Sequence, residues 1–316
     1  MDILKINNLN AGFETENGFA QVLYDVNLSL EEGKTLAIVG ESGCGKTLTA
    51  MSIINLLPET FKINSGEILF EGQNLLELKQ KQISKIRGSK IALIPQDPMT
   101  SLNPLYTVEN QITEGVITHL NCSKDEAKKI ALEALDMVRI PNAKERMKNY
   151  PHELSGGMKQ RIIIAMALCA KAKIIIADEP TTALDVTVQA QILELLKLLQ
   201  KDLNTSIILI THDLGVVREN ADDINIMYAG RIVEKAKCDL LFESPKHPYT
   251  QALLNAVPKA NSKTLENIKG VPPRLGVKIE GCSFNPRCAK CFELCPSQIP
   301  QTKILEDGSC VSCLLY

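Results

Sequence analysis

The chain of 316 residues carries 35 basic and 37 acidic side chains, a formal net charge of −2, with 45% hydrophobic residues, 4% aromatic residues and no tryptophan. Balanced charge and few aromatic rings leave little material for a phosphate-tracking patch or for base stacking, which argues against nucleic acid as a partner. The length suits one large or two ordinary domains with a sizeable core.

The opening residues show no basic segment followed by an apolar run, so no signal peptide is expected. No window approaches the roughly 20 uninterrupted apolar residues of a membrane span; the longest stretch is broken by Lys171 and Lys173. The expectation is a protein made and kept inside the cell.

In chain order, ILKINNLNAGF and VLYDVNLSL alternate apolar and polar residues as half-exposed strands do, and KTLAIVG is a short apolar run ending in glycine. TLTAMSIINLL, Thr47 to Leu57, has helical spacing and stops before Pro58. SGEILFEGQNL reads as strand, turn and strand. A helix-rich stretch from about Thr107 to Arg146 follows, with an amphipathic helix capped by Ser123. KIIIADE and TSIILITHD read as buried strands on either side of the helix VTVQAQILELLKLLQKDL, a pattern that builds a parallel sheet covered by helices. Beyond residue 235 the character changes: SPKHPYTQALLNAVP predicts a short helix, KGVPPRLG a linker, and a cysteine-rich tail comes last.

The segment GESGCGKT, Gly40 to Thr47, stands between the strand and the helix that its spacing requires. Gly40, Ser42, Gly43, Cys44 and Gly45 form a loop whose N–H groups can face a polyphosphate, Lys46 can reach the terminal phosphates, and the Thr47 hydroxyl can hold Mg²⁺. Asp178 and Glu179 end an apolar strand. The first suits the Mg²⁺ shell and the second can polarise an attacking water, which together describe an ATPase site. Cys44, beside Lys46 at a helix N-terminus, is expected to favour the thiolate and to be alkylated readily unless ATP covers it; the opposing reading packs the thiol against the sheet.

LSGGMKQR, Leu154 to Arg161, resembles the signature of the ATP-binding cassette proteins, and residues 1–235 look like one nucleotide-binding domain of that family. The resemblance implies an α/β fold of the P-loop NTPase type, with a mixed-sheet core, an antiparallel β subdomain and a helical subdomain at about 97–160. It also implies that Phe13 stacks on adenine, although packing is the plain alternative for a loop aromatic. Gln96 would touch Mg²⁺ and the lytic water, Ser155, Gly156 and Gly157 would contact nucleotide bound to a second cassette, Ala183, Leu184 and Asp185 would form the D-loop, and His212 would sense the γ-phosphate. Because one chain carries two half-sites, the family works as head-to-tail pairs.

SPKHPYTQALL and GVPPRLG, with the cysteine tail, resemble the ATPases that power dipeptide and oligopeptide importers, nickel importers being close kin. Implied partners are a second, related cassette, giving a heterodimer, two membrane-spanning permeases and an extracytoplasmic binding protein, with the chain on the cytoplasmic face of the membrane. The segment after Gln96 and the helices to about 146 would meet the permease. Six of ten cysteines fall in the last 35 residues. In a reducing compartment such a cluster favours metal over disulfides. The pairs Cys288/Cys291 and Cys310/Cys313 suit zinc, while Cys288, Cys291, Cys295 and Pro296 echo a ferredoxin-type run. The family resemblance at Cys282, Cys288, Cys295 and Cys313 implies a [4Fe–4S] cluster, and Cys291 and Cys310 depart from its pattern. The extension at 236–316 is therefore expected to be stapled by metal. Two other functions compete: a repair or ribosome ATPase of the same superfamily, against which stand the single P-loop and the lack of heptads, and an iron–sulfur electron-transfer or sensor protein with a regulatory nucleotide site, against which stands Glu179.

Overall fold

The computed structural model describes residues 1–16, 18–169, 171–182, 184–256 and 268–316. In chain order the elements are β1 (Asp2–Thr15), β2 (Gly18–Glu31), β3 (Thr35–Val39), α1 (Lys46–Ile53), β4 (Phe61–Phe70), β5 (Gln73–Asn74), α2 (Gln80–Ile86), β6 (Ile91–Ile94), α3 (Pro98–Ser101), α4 (Val108–Leu120), α5 (Lys124–Met137) and α6 (Ala143–Arg146). They continue with α7 (Gly156–Cys169), β7 (Ile174–Asp178), α8 (Val186–Leu203), β8 (Ser206–Thr211), α9 (Leu214–Asn220), β9 (Asp223–Tyr228), β10 (Arg231–Lys237), α10 (Cys238–Glu243), α11 (Pro248–Asn255), β11 (Lys303–Ile304) and β12 (Cys310–Val311). The chain divides into two compact units, Met1–Glu77 with Leu209–Tyr316, and Leu78–Ile208.

The first unit holds an antiparallel sheet in the order β2-β1-β4-β5 and the strand run β11-β12-β10-β9-β3. In that run β3 lies parallel to β9 and the other pairs are antiparallel, so the sheet is mixed. Strand β3 is buried along its whole length, which is why it reads as a continuous apolar run rather than an alternating one. The hairpin from β9 to β10 turns through Ala229 and Gly230, both with positive φ. At Gly230 an added Cβ would lie 1.8 Å from the Val22 carbonyl oxygen, so the position admits only glycine. Sequence patterning did not signal this hairpin, because the Ala-Gly pair lacks the asparagine or aspartate that marks such turns.

The C-terminal residues join the same unit. Glu234 pairs with Val311 and Lys235 with Cys310, so β12 extends the run that begins at β3. Tyr228 of β9, Tyr249 of α11 and Phe284 pack mutually, with ring centroids 4.6, 5.2 and 5.2 Å apart. They share one buried cluster with Val39, Cys282 and Cys295. The core that backs the glycine-rich loop is thus built in part from the tail.

In the second unit β6 runs parallel to β7, and α5 packs against α4 and α7. Ser123 caps α5 as expected, its hydroxyl accepting from the Glu126 N–H while the Glu126 carboxylate accepts from the Ser123 N–H. Helix α8 spans the residues its periodicity predicted. Helix α1 ends at Ile53, four residues short of the expected Leu57, where Asn55 takes a left-handed φ of 49°.

His247 begins α11 at 1% exposure, with Nδ1 accepting from the Tyr249 N–H at 3.0 Å, so its proton sits on Nε2. Burial lowers its pKa from 6.5 to about 4. The unfolded chain therefore binds a proton here that the folded chain refuses, so the stability contributed by neutral His247 is complete above pH 6.5 and is lost as the pH falls toward about 4. Replacing it by His247→Asn, which keeps a cap acceptor, is expected to flatten the fall of Tm across that window. An unchanged acid limb would contradict the assignment.

Candidate functional site

The glycine-rich loop follows β3 and opens α1, with Gly45 at the cap in left-handed conformation, φ 108°. A Cβ there would come within 2.9 Å of Leu23 and Met227 side-chain atoms, and one at Gly40 within 2.1 Å of the Met227 carbonyl oxygen. The backbone of β9 therefore presses on the loop from behind. The β9–β10 turn adds two tethers: the Gly230 N–H donates to the Cys44 carbonyl at 2.9 Å, and the Gly230 carbonyl accepts from the Tyr24 N–H at 2.9 Å. Lys46 is 5% exposed, and its Nζ donates to the carbonyls of Gly40 at 2.8 Å and Glu41 at 3.1 Å. Its ammonium is thus held within the loop. Ser42, Gly43 and the Thr47 hydroxyl side face solvent, where a polyphosphate and its cation can reach them.

Cys44 corrects an expectation. Its thiol is 5% exposed, lies beneath Gly40 and has a raised pKa, because burial outweighs the attraction of the Lys46 charge. A thiol in this setting stays protonated and is shielded from reagents. The packed alternative is the one found.

Glu41 occupies a position in the glycine-rich loop that the motif leaves open. Its N–H donates to the Tyr249 hydroxyl at 3.0 Å, and its carboxylate accepts from both Arg287 terminal nitrogens, at 2.6 and 2.9 Å. Phe13, on β1, packs edge-on against Phe61 with centroids 4.9 Å apart and remains half-exposed, so its ring has a packing partner and an open side. His212, just beyond β8, is exposed.

The second unit carries the carboxylate pair. Asp178 closes β7 at 3% exposure. Glu179, the next residue, has φ 46°, an uncommon conformation for a side-chain-bearing residue that turns it away from the strand line. Its Oε2 accepts from Gln96 Nε2 at 2.9 Å and from the Thr182 hydroxyl at 3.0 Å. Gln96 and Glu179, 83 residues apart in sequence, are thus in direct contact. Ser155 precedes α7 and its hydroxyl accepts from the Met158 N–H at 3.3 Å. Gly156 and Gly157 open the helix, and a Cβ on Gly157 would meet Val188 at 2.9 Å. Asp185 caps α8 by accepting from the Val188 N–H at 3.0 Å; Ala183 lies outside the described residues.

Among the described residues no three or more His, Cys, Asp or Glu side chains converge closely enough to hold a metal ion. The tail thiols are nonetheless neighbours. Burial raises Cys282, Cys288 and Cys313, and further raises come from Cys313, Cys295 and Cys288 acting on Cys282, and from Cys295 acting on Cys313. Cys282, Cys295 and Cys313 are buried, Cys291 is exposed, and Cys310 is fixed on β12 opposite Lys235.

A mixed sheet bearing a phosphate loop, with a strand-end carboxylate pair, defines a P-loop nucleotide-binding protein. The family description "ABC transporter" matches residues 23–182, and "Oligopeptide/dipeptide transporter, C-terminal region" matches residues 233–295. The chain belongs to the ABC transporter ATP-binding proteins. It is 47% identical to the dipeptide transport ATP-binding protein DppD of Bacillus subtilis, over 99% of this chain and 94% of that one. It is 46% identical to the oligopeptide transport ATP-binding protein OppD of Salmonella typhimurium, over 98% and 93%. The dimeric cassette MJ0796, solved in a post-hydrolysis state with ADP and Pi, aligns with a TM-score of 0.67 at 30% identity, covering 74% of this chain and 98% of that one.

With the folded chain at neutral pH, Cys44 is expected to react with a maleimide at a rate on the order of tenfold or more below that of exposed Cys291, and to react freely once urea unfolds the chain. Mass spectrometry of the labelled peptides reads both sites. Labelling of Cys44 at the rate of Cys291 would contradict its burial.

Proposed function

We propose that the chain is the ATP-hydrolysing subunit of a membrane importer for dipeptides or oligopeptides. For the substrate class the observation that counts most is the match at 233–295, since it covers residues a bare cassette lacks, together with the near full-length likeness to peptide transport ATPases. The subunit works on the cytoplasmic face of the membrane, paired with a second, homologous cassette, below two permease subunits that an extracytoplasmic binding protein supplies.

The roles of the residues follow from their chemistry. The N–H groups of residues 42–46 and the Lys46 ammonium bind the β and γ phosphates of ATP. Thr47, Asp178 and Gln96 would hold Mg²⁺, which neutralises charge building up on the phosphates. Glu179 accepts a hydrogen bond from the attacking water. The hydrogen bonds from Gln96 and Thr182 hold its carboxylate in one orientation, so little reorganisation is needed when the water is bound. Phe13 stacks on the base, and His212 reads the γ-phosphate. Ser155, Gly156, Gly157 and Asp185 serve the nucleotide of the partner cassette.

The compact units do not follow the division at residue 235, yet that division still describes function: a nucleotide-binding domain at 1–235, with its helical subdomain at about 97–160, and an importer-type extension at 236–316. In that extension Cys282, Cys288, Cys295 and Cys313 would hold a [4Fe–4S] cluster. The burial of Cys282, Cys295 and Cys313 and the half-burial of Cys288 support this set, while the exposure of Cys291 weighs against a zinc site that uses it. Such coordination would fasten a segment too poor in large apolar side chains to build a core alone.

Two measurements check the reading. Glu179→Gln is expected to lower ATP turnover by on the order of 10²-fold or more while ATP binding survives; unchanged turnover would remove Glu179 from the reaction. Chain purified without oxygen is expected to carry about four iron and four acid-labile sulfide. One zinc without sulfide would replace the cluster assignment and leave the ATPase reading standing.

A further inference from the structure

The pair of Arg287 with Glu41 joins two parts of the first unit that are 246 residues apart in sequence. Arg287 directly precedes Cys288 and ends a short turn, Asn285–Arg287, that follows the buried Phe284. Its side chain is 5% exposed and that of Glu41 23%, so the two parallel hydrogen bonds, at 2.6 and 2.9 Å, form largely out of water. Charge-assisted fork-to-fork pairs of this kind fix orientation as well as supply energy. The rest of the guanidinium is also anchored: Nε donates to the Lys269 carbonyl at 2.9 Å, and Nη1 lies 3.4 Å from the Tyr228 hydroxyl.

Glu41 is gripped at three points. Its carboxylate holds Arg287, its N–H is held by Tyr249 of α11, and its carbonyl accepts from Lys46 Nζ. Two of these three grips come from residues beyond 235. The lysine that reaches the phosphates therefore leans on a residue whose orientation is set by the C-terminal extension.

We infer that Arg287 is a positioning residue of the nucleotide site: through its fork on Glu41 it holds the phosphate loop in the shape that binds ATP, and so makes nucleotide affinity depend on the seating of the cysteine-bearing tail. The inference rests on the ATPase reading. It gives the tail a task in the cassette beyond its own folding, and it names the contact that performs it.

The test is a double-mutant cycle on the full-length chain, with binding of a fluorescent ATP analogue in the presence of Mg²⁺ as readout, and with Tm of each variant recorded. Arg287→Ala and Glu41→Gln are each expected to weaken binding about tenfold, equivalent to 1.4 kcal/mol. The double variant is expected to be no weaker than either single one, because one interaction is lost in all three. Arg287→Lys keeps the charge without the fork and is expected to fall between wild type and Arg287→Ala. Glu41→Gln preserves shape, so it remains informative where Arg287→Ala fails to fold. Additive effects of the two substitutions, or wild-type affinity in folded Arg287→Ala or in Glu41→Gln, would overturn the inference. An unsubstituted chain that binds ATP with the predicted coupling yet never hydrolyses it would sink the ATPase reading alone and leave this contact standing.

Discussion

A phosphate-binding loop works only if its backbone N–H groups stay pointed outward when no phosphate is there to hold them, and that requirement governs much of the first unit. The loop has few side chains of its own with which to pack, so its shape has to be imposed from behind. Met227 blocks any side chain at Gly40, the turn at Gly230 ties the Cys44 carbonyl, and the buried Lys46 ammonium spans the carbonyls of Gly40 and Glu41. Burying a cation is costly unless polar partners surround it. The loop supplies those partners, and phosphate oxygens would add to them.

The same demand explains why the C-terminal residues are folded into the unit that carries the loop. Tyr228, Tyr249 and Phe284 form one aromatic cluster beside Val39, the last residue of the strand that enters the loop. From this cluster Tyr249 and Arg287 reach the same residue, Glu41, by its N–H and by its carboxylate. Residues beyond 235 thus contact the glycine-rich loop directly. Thiolate ligation at Cys282, Cys288 and Cys295 would act on the segment that carries Arg287.

The readability of the sequence varied with the source of the constraint. Strands β3 and β7 and helix α8 were legible because burial and amphipathic period are written in the residues themselves. The phosphate loop and the strand-end carboxylates were legible because their spacing carries the chemistry. The contact of Gln96 with Glu179, 2.9 Å between Nε2 and Oε2, was not legible, since the two residues are far apart in sequence. The β9–β10 hairpin was not legible, since its Ala229-Gly230 turn lacks the asparagine or aspartate that marks such turns, and the close approach of Val22 that requires glycine at 230 is a long-range contact. Glu41 and Arg287 were invisible for a related reason: a long-range ion pair leaves no periodic or local trace. Cys44 was misread because a neighbouring lysine is seen in the sequence while burial is not, and burial dominates.

The coupling between tail and loop can be observed most directly by hydrogen–deuterium exchange of the full-length chain, with and without Mg-ATP. If residue 41 transmits order between them, nucleotide will slow amide exchange in residues 40–47 and, in the same titration, in residues 282–288. Slowing confined to residues 40–47, with the tail exchanging as before, would show that the phosphate site and the tail are independent and would contradict this account.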